Sequence, residues 1–343
     1  MEKQLASATA KTEEDQNQNI TYKSRLENEL KRYSDKVNIH ELPDIAHYWS
    51  NRYLSIYVKT LGYKSIRDIH FQHCKEACQT QEEARFCSIG AGNCEVEVLL
   101  AKQLVESGLT NFTFECLDIN RNMLDRGIEK ALKLGVADYI KSTITDLNSW
   151  TIERKYDVVF ALQCLHHFVE LEIITQKIYN GLRDSGFFIT HDMIGRNGHQ
   201  RWPETLEKVR FFWQDLPSRY KFNHHSKQIE EEFINRDFSK DNFEGIRAQD
   251  ILPLLQKKFC FQTFVFWGGF IDPFISRAFG HNYDAKKPED RAIIDKIQKL
   301  NEDLLISKTI KPTQMIATMK KTVSSRKFFL YGLPPAACIR HVN

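Results

Sequence analysis

The chain of 343 residues lacks an apolar run long enough to cross a membrane, and its polar opening, Met1-Glu-Lys-Gln-Leu5, has no secretory apolar core. Its eight cysteines do not suit a disulfide framework in a chain of this length. The formal net charge of +3 is too small to argue for a nucleic-acid partner. With 42% apolar and 27% charged residues, we expect a globular, cytoplasmic protein.

The length exceeds that of a minimal α/β domain, so we expect additions around one domain rather than a second full unit. The pattern predicts six segments: a polar N-terminal tail (1–40), a helical extension (41–83), a ligand-binding core (84–193), a cap insertion (194–244), completion of the sheet with an inserted helix (245–322) and a C-terminal tail (323–343). The extension carries a helical stripe that fits either packing on the sheet domain or a lid over its ligand: Ile45, Tyr48, Trp49, Tyr53 and Leu54.

The core opens with a short apolar run that breaks at Gly90-Ala91-Gly92 and then becomes helical. Glycines at such a turn let the backbone bend sharply and approach a ligand, while the first helical turn supplies N–H donors. A dinucleotide fingerprint needs Gly or Ala at position 95, where this chain has an acidic residue that competes with a pyrophosphate for the helix N-terminus. Glu95 therefore favours a cofactor without phosphate, such as S-adenosylmethionine, and a tight turn without ligand is the alternative.

Carboxylates follow two of the later predicted strands. Asp118 ends the second strand, where a carboxylate accepts two hydrogen bonds from a ribose diol; an N-cap for the next helix is the alternative. Asp146 follows the third strand, where it suits an adenine amino group, or it is a solvated loop residue. The strands predicted after the first are 112–118, 139–145, 156–162, 187–191, 261–267 and 313–319.

The alternation of strands and helices predicts an α/β fold with a mostly parallel, doubly wound sheet of seven strands, covered on both faces. The order and content of the motifs resemble the class I S-adenosylmethionine-dependent methyltransferases, which are Rossmann-like. The resemblance covers about residues 84–192 and rests on Ser88–Asn93, Leu117–Ile119, Asp146-Leu147, Asp157–Phe160 with Leu165–Phe168, and Leu182–Gly186.

This resemblance implies an enzyme that transfers a methyl group from S-adenosylmethionine. The cofactor-binding residues that it implies are Gly90, Ala91, Gly92, Asn93, Asp118, Ile119, Met123, Asp146, Leu147 and Gln163. Two positions depart from the family pattern, because Ser88 replaces the usual acid before the loop and Cys94 replaces a third glycine. The family's acid commonly helps to hold the loop and the cofactor's ammonium group, and the sequence leaves open whether Glu95 takes its place.

Methyl transfer from a sulfonium requires an aligned acceptor, exclusion of water and a base when the acceptor holds its proton tightly. We choose His167 as the base, because the resemblance places it beside the reactive methyl group. Other candidates are His166, His191, Asp192, His199, His224, His225 and His281.

Aromatic residues after the fifth strand favour a largely apolar small-molecule acceptor, or else they form the core of the cap. They are Trp202, Phe211, Phe212, Trp213, Phe266, Trp267, Phe270 and Phe274. Gln163-Cys-Leu-His166 stands where nucleic-acid amine methyltransferases carry an Asn/Asp-Pro-Pro-aromatic element, so we do not expect a nucleic-acid acceptor. A protein acceptor and a non-catalytic, cofactor-binding scaffold are the alternatives, and the sequence does not define an oligomeric state.

The spacing His70-x-x-His73-Cys74-x-x-x-Cys78 could place metal ligands on neighbouring helical turns. It lacks the paired Cys-x-x-Cys units of structural zinc sites, so we interpret it as a surface helix and expect no metal.

Overall fold

The structure is a computed structural model that describes residues 22–33, 41–147, 150–152, 154–323 and 327–340. Its strands are β1 Ala84–Ile89, β2 Phe112–Asp118, β3 Ile140–Ile144, β4 Tyr156–Leu162, β5 Leu182–Met193, β6 Phe222–Asn223, β7 Gln228–Ile229, β8 Cys260–Trp267, β9 Gln314–Lys320 and β10 Phe328–Phe329. Its helices are α1 (22–33), α2 Asp44–Trp49, α3 Ser55–Thr60, α4 Ile66–Thr80, α5 Glu95–Glu106, α6 Arg121–Lys133, α7 Leu171–Gly181, α8 Pro203–Gln214, α9 Ala248–Lys258, α10 Asp272–Ile275, α11 Pro288–Ile306 and α12 Pro335–Cys338.

The main sheet has the strand order β10-β8-β9-β5-β4-β1-β2-β3. Strands β1 to β5 run parallel, whereas β9 is antiparallel to both of its neighbours, β5 and β8. The chain leaves β1 toward β2 and β3, and then returns to β4 on the other side of β1. Since ligands bind beyond the carboxyl ends of the strands where the order reverses, the ends of β1 and β4 are the expected place for a site.

Side-chain alternation along β4 divides the interior into two cores. Val158 and Phe160 pack in one core with α4, α5 and α6, while Val159 and Ala161 pack in the other with α7 and α9. All four are almost completely buried. Burial of both faces is what a parallel sheet between two helix layers requires, and it confirms the predicted doubly wound architecture.

The strand count differs from the prediction. All seven predicted strands are present, and an eighth, β10, pairs with β8 through Phe328 and Phe329. A strand of two residues is too short to show periodicity, so the sequence pattern could not reveal it. The segment predicted as a C-terminal tail thus contributes one edge of the sheet and the short helix α12.

The predicted aromatic stripe lies on α2 and on the π-helical turn Ser50–Leu54, which joins α2 to α3. The stripe packs on α11, where Tyr48 Oη donates to Asp295 at 2.9 Å and Trp49 Nε1 donates to Gln298 Oε1 at 2.7 Å. The stripe therefore packs on the helix inserted between β8 and β9. None of the helices in the described ranges combines the length and apolarity needed to span a membrane.

Part of the predicted polar tail forms the helix α1. Asn28 Nδ2 donates to the Asp241 carbonyl at 3.0 Å, and the Arg25 guanidinium donates to the carbonyls of Ser239 and Asn242. The helix thus docks on the end of the predicted cap insertion. The rest of the predicted tail, 1–21 and 34–40, lies outside the described residues.

Replacement of Trp213 by Ala tests whether the cap shares the core of the sheet domain. Trp213 is 1% exposed and belongs to the same apolar cluster as Val159 and Phe266. We expect the free energy of unfolding to fall by about 3–5 kcal/mol, in one cooperative transition in denaturant. Phe211→Ala is the control, because Phe211 lies on the same helix and is 72% exposed. Equal losses for the two variants, or a separate transition for the cap, would contradict a shared core.

Candidate active site

The carboxyl ends of β1 and β4 open into a cavity of about 1570 Å³. Its outer wall comes from α1, from residues 46–54 and from the segments after β5 and β8. Pockets for a single small ligand typically enclose about 300–1,000 Å³, so this cavity has room for two molecules side by side. The predicted cofactor residues line this cavity together with a cluster of histidines and carboxylates.

The glycine loop of this cavity forms a tight turn. Gly90 and Gly92 adopt φ of +61° and +53°, and Cys94, at the N-cap of α5, also has a positive φ. A Cβ on Gly90 would lie 2.5 Å from Cys164 Cβ, and one on Gly92 would lie 3.0 Å from Met123 Cε. Both glycines are therefore required by backbone conformation and by close packing, as the sequence predicted.

Asp118 lies beside this loop. Its Oδ2 accepts from Gly92 N–H and its Oδ1 from Asn120 N–H, each at 2.8 Å. Burial raises the pKa of the Asp118 carboxyl, against the effect of these backbone donors. The alternative N-cap role falls to Asn120, whose side chain accepts from Met123 N–H. The carboxylate is thus fixed at the cavity wall with acceptor capacity left for a diol.

An acid of α5 lies beside position 88. Ser88 Oγ donates to Glu97 Oε1 at 2.6 Å, and both side chains are buried. Glu95, the candidate that the sequence left open, instead pairs with Lys130 at 3.1 Å. Burial raises the pKa of the Glu97 carboxyl, and no Lys, Arg or His of the described ranges forms an ion pair with it. Glu97 therefore presents a carboxylate at the cavity that lacks a positive partner.

Asp146 and Leu147 line the next part of the cavity, with Ile119 and Met123. Tyr22 Oη of α1 donates to Asp146 Oδ2 at 3.0 Å, and the Tyr22 ring lies 5.3 Å from that of Phe243. An apolar surface beside a carboxylate suits a purine with an exocyclic amine. The structure thus brings together Gly90, Ala91, Gly92, Asn93, Asp118, Ile119, Met123, Asp146, Leu147 and Gln163 around one cavity.

Residues 88–190 match the family model described as "Methyltransferase domain", which spans the glycine loop, Asp118 and all but the last residues of β5. These residues form a methyltransferase domain of the class I S-adenosylmethionine-dependent type. S-adenosylmethionine is the cofactor of this family. No curated protein matches the chain in sequence.

Several solved structures resemble the methyltransferase in part. The geranyl diphosphate C-methyltransferase of Streptomyces coelicolor A3(2) is 9% identical over 74% of this chain and 77% of its own, with a TM-score of 0.41. A methyltransferase of Geobacter sulfurreducens is 11% identical over 74% and 90%, with a TM-score of 0.39. The [4+2]-cyclase SpnF is 13% identical over 75% and 81%, with a TM-score of 0.42. Similarities this low carry no argument about the acceptor of this chain.

Asp192 organises the histidine and carboxylate cluster of the methyltransferase cavity. This carboxylate is fully buried at the end of β5, and its Oδ2 accepts from the N–H groups of Cys164 and Leu165 at 3.0 and 2.7 Å. Its Oδ1 accepts from Met193 N–H and lies 2.6 Å from His166 Nδ1. Burial opposes ionisation, but these donors and His166 hold the pKa of Asp192 below its usual range.

His166 lies between two carboxylates, because its Nε2 is 3.5 Å from Glu244 Oε1. Burial disfavours the imidazolium, but Asp192 and Glu244 outweigh it and raise the pKa of His166 to about 10. His199 Nε2 lies 2.9 Å from the same Glu244 oxygen. Burial raises the pKa of the Glu244 carboxyl, but the two imidazoles outweigh it and hold this pKa well below its usual range.

His167, the predicted base, lies on the same cavity wall. Its Nδ1 is 2.6 Å from Glu29 Oε1 of α1, and its ring centroid is 4.3 Å from that of His166. Its side chain is 19% exposed, so a ligand in the cavity can reach it. With the carboxylate beside one imidazole nitrogen, the other nitrogen is left to accept a proton, as a general base requires.

The structure answers one question that the sequence left open and corrects one interpretation. Of the eight aromatic residues that fitted either an acceptor pocket or the core of the cap, only Trp267 lines the cavity; Phe211 is exposed, and the others pack in or against the apolar core. The helix that carries His70, His73, Cys74 and Cys78 is not a surface helix at these positions, because all four are buried. His73 Nδ1 lies 2.7 Å from the Ile69 carbonyl oxygen.

Sequence reasoning missed Glu97, Glu244 and Glu29. Glu97 had a readable signal, since it shares one helical face with Ala101 and Leu104, and an acid on an apolar face requires a partner. Glu244 and Glu29 had none, because each meets the site only through contacts across the long connections of the fold.

Gly90→Ala should disturb the conformation of the glycine loop and its packing against Cys164. The added methyl group would meet Cys164, and φ of +61° is unfavourable for Ala, so we expect affinity for S-adenosylhomocysteine to fall at least about tenfold by calorimetry. Gly108→Ala is the matched control, with φ of +78° but no atom within 4 Å of the added carbon. It should cost about 1–2 kcal/mol in stability and leave binding unchanged. Equal affinity in the two variants would argue against close packing at Gly90.

Proposed function

We propose that this methyltransferase transfers the methyl group of S-adenosylmethionine to an oxygen or nitrogen atom of a small, partly apolar molecule. The main support is that one cavity joins the glycine loop to the buried histidines and carboxylates after β4 and β5. Its volume accommodates a cofactor and an acceptor together.

The cofactor would lie along the loop. Asp118 would accept from the ribose hydroxyls, while Ile119, Met123 and Leu147 would contact the adenine and Asp146 its amino group. Gln163, in the tight turn after β4, would face the amino-acid portion or the sulfonium. Glu97 would accept from the ammonium group, because it is a buried carboxylate that needs a positive partner.

Methyl transfer is an in-line displacement in which the acceptor atom forms a bond to the methyl carbon while the carbon–sulfur bond breaks. The electron pair of that bond stays on sulfur, which yields neutral S-adenosylhomocysteine. The acceptor must lose one proton, and His167, held by Glu29, is the base that we propose. The protein otherwise aligns the two reactants and excludes water.

The acceptor end of the cavity favours a small molecule. Apolar rings from the N-terminal helices and the later segments form part of its wall: Trp49, Phe168, Phe233, Trp267 and Phe279. The helix α1 lies across this end through its contacts with His167 and with residues 239–242. A protein side chain would have to enter beneath that helix, so we place a protein acceptor second.

Two variants test separately the proposed contact with the ribose and the proposed contact with the ammonium group of the cofactor. Asp118→Asn should weaken S-adenosylmethionine and 5′-methylthioadenosine alike, by about 10- to 100-fold, because both carry the ribose diol. Glu97→Gln should weaken S-adenosylmethionine but leave 5′-methylthioadenosine unchanged, since that compound lacks the ammonium group. Calorimetry measures both affinities.

The controls are Asp125→Asn and Glu95→Gln, which remove carboxylates from exposed ion pairs on α6 and α5. Neither control should change binding of either compound. If Glu95→Gln weakened S-adenosylmethionine and Glu97→Gln did not, the assignment of the ammonium site to Glu97 would be wrong.

A labelling experiment tests the acceptor. Purified protein with S-adenosylmethionine labelled on the methyl group, incubated with a cell extract, should place label in the small-molecule fraction. The His167→Ala variant should retain cofactor affinity and label the extract at least about 100-fold more slowly. Label in protein would instead support a protein acceptor. Binding of S-adenosylmethionine without methyl transfer to any fraction would support the non-catalytic scaffold.

A further inference from the structure

The strongest cluster of ligand-type side chains in the described part of the chain is His166, His199 and Glu244. One ligand atom from each lies within 4.8 Å of the other two. The three residues come from the turn after β4, the turn after β5 and the end of the predicted cap insertion. Their convergence is therefore a product of the fold and not of sequence proximity.

We propose that His166, His199 and Glu244 bind a divalent first-row transition-metal ion at the acceptor end of the cavity. Two imidazoles and one carboxylate are a ligand set that binds Zn²⁺ and related ions and leaves an open coordination position. Mg²⁺ and Ca²⁺ prefer oxygen ligands and fit this set less well.

The geometry around His166 supports a ligand role. Asp192 Oδ1 lies 2.6 Å from His166 Nδ1, which directs Nε2 toward Glu244 Oε1 at 3.5 Å. A metal-ligating histidine usually donates its other ring N–H to a carboxylate in this way, which sets the tautomer and the ring orientation. Asp192 has further backbone donors on both oxygens, so its own position is fixed.

The two oxygens of Glu244 are used differently. Tyr33 Oη donates to Oε2 at 3.3 Å, and Arg32 lies 3.4 Å from the same atom. The other oxygen, Oε1, faces the imidazole nitrogens of both histidines. The Arg32 guanidinium thus lies on the Oε2 side of the carboxylate. Oε1 is oriented toward the position that a metal ion would take.

His199 is held in place by its backbone. It has φ of +56°, and Arg201 donates to its carbonyl at 2.7 Å. A Cβ on Gly245 would lie 2.8 Å from His199 Cε1, so the imidazole packs directly against the residue that follows Glu244. Gly245→Ala therefore offers a way to displace one ligand without changing any ligand's chemistry.

The role of the ion rests on the proposed function. An ion in the cavity would bind the acceptor oxygen through its open position and lower the pKa of that hydroxyl. The proton would pass to His167, whose ring is 4.3 Å from that of His166, and the oxygen would then take the methyl carbon from sulfur. This step selects an oxygen acceptor over a nitrogen acceptor.

The full chain, treated with a chelator and dialysed, tests the site with Zn²⁺ by calorimetry and with Co²⁺ by visible absorption. We expect one ion per chain with a micromolar or tighter Kd, and ligand-field bands for Co²⁺. His199→Ala and Glu244→Gln should each weaken Zn²⁺ at least about 100-fold, and Gly245→Ala should weaken it by a smaller factor. His224→Ala is the control, because His224 lines the same cavity but lies 2.9 Å from Asn282 Oδ1, outside the cluster.

Affinity for 5′-methylthioadenosine, measured on each variant, separates this inference from the proposed function and from loss of folding. The site is supported if His199→Ala and Glu244→Gln lose Zn²⁺ binding but keep 5′-methylthioadenosine binding, while His224→Ala keeps both. No Zn²⁺ binding by a wild-type protein that binds the cofactor, or equal Zn²⁺ binding in wild type and both cluster variants, would overturn it. Failure of cofactor binding with intact Zn²⁺ binding would instead contradict the proposed function.

Discussion

The carboxylate of Asp192 is the constraint on which the histidine and carboxylate cluster of the cavity depends. A fully buried charge is costly unless donors surround it, and here three backbone N–H groups and His166 do so. The bonds from Cys164, Leu165 and His166 join the turn after β4 to the end of β5, while Met193 N–H donates from β5 itself. Loss of Asp192 would release both the turn with Gln163 and the orientation of His166.

Three carboxylates that line the cavity are largely buried: Asp118, Glu97 and Glu244. A buried carboxylate is costly unless hydrogen-bond donors or a positive group surround it. Asp118 has backbone donors, and Glu244 has two imidazoles and Arg32. Among the side chains that the structure describes, Glu97 accepts from the Ser88 hydroxyl alone, which is a neutral donor.

The sheet core and the glycine turn could be predicted from the sequence because their signals are local. A strand, a glycine turn and a carboxylate at the next strand end can be read over about thirty residues, as at Gly90 and Asp118. The cluster of histidines and carboxylates could not be read in this way. Glu244 meets His166 across 78 positions of chain, and Glu29 reaches His167 from a helix that composition alone described as a polar tail.

At position 88 the chain departs from the family pattern, and a buried acid lies nearby on a different element. Ser88 is buried at the end of β1, and its small side chain leaves space into which Glu97 reaches from α5. The carboxylate thus moves from strand to helix and still faces the cavity next to the loop. Since a ligand's ammonium group responds to the position of the charge and not to the element that carries it, replacement of the acid in β1 is compatible with cofactor binding.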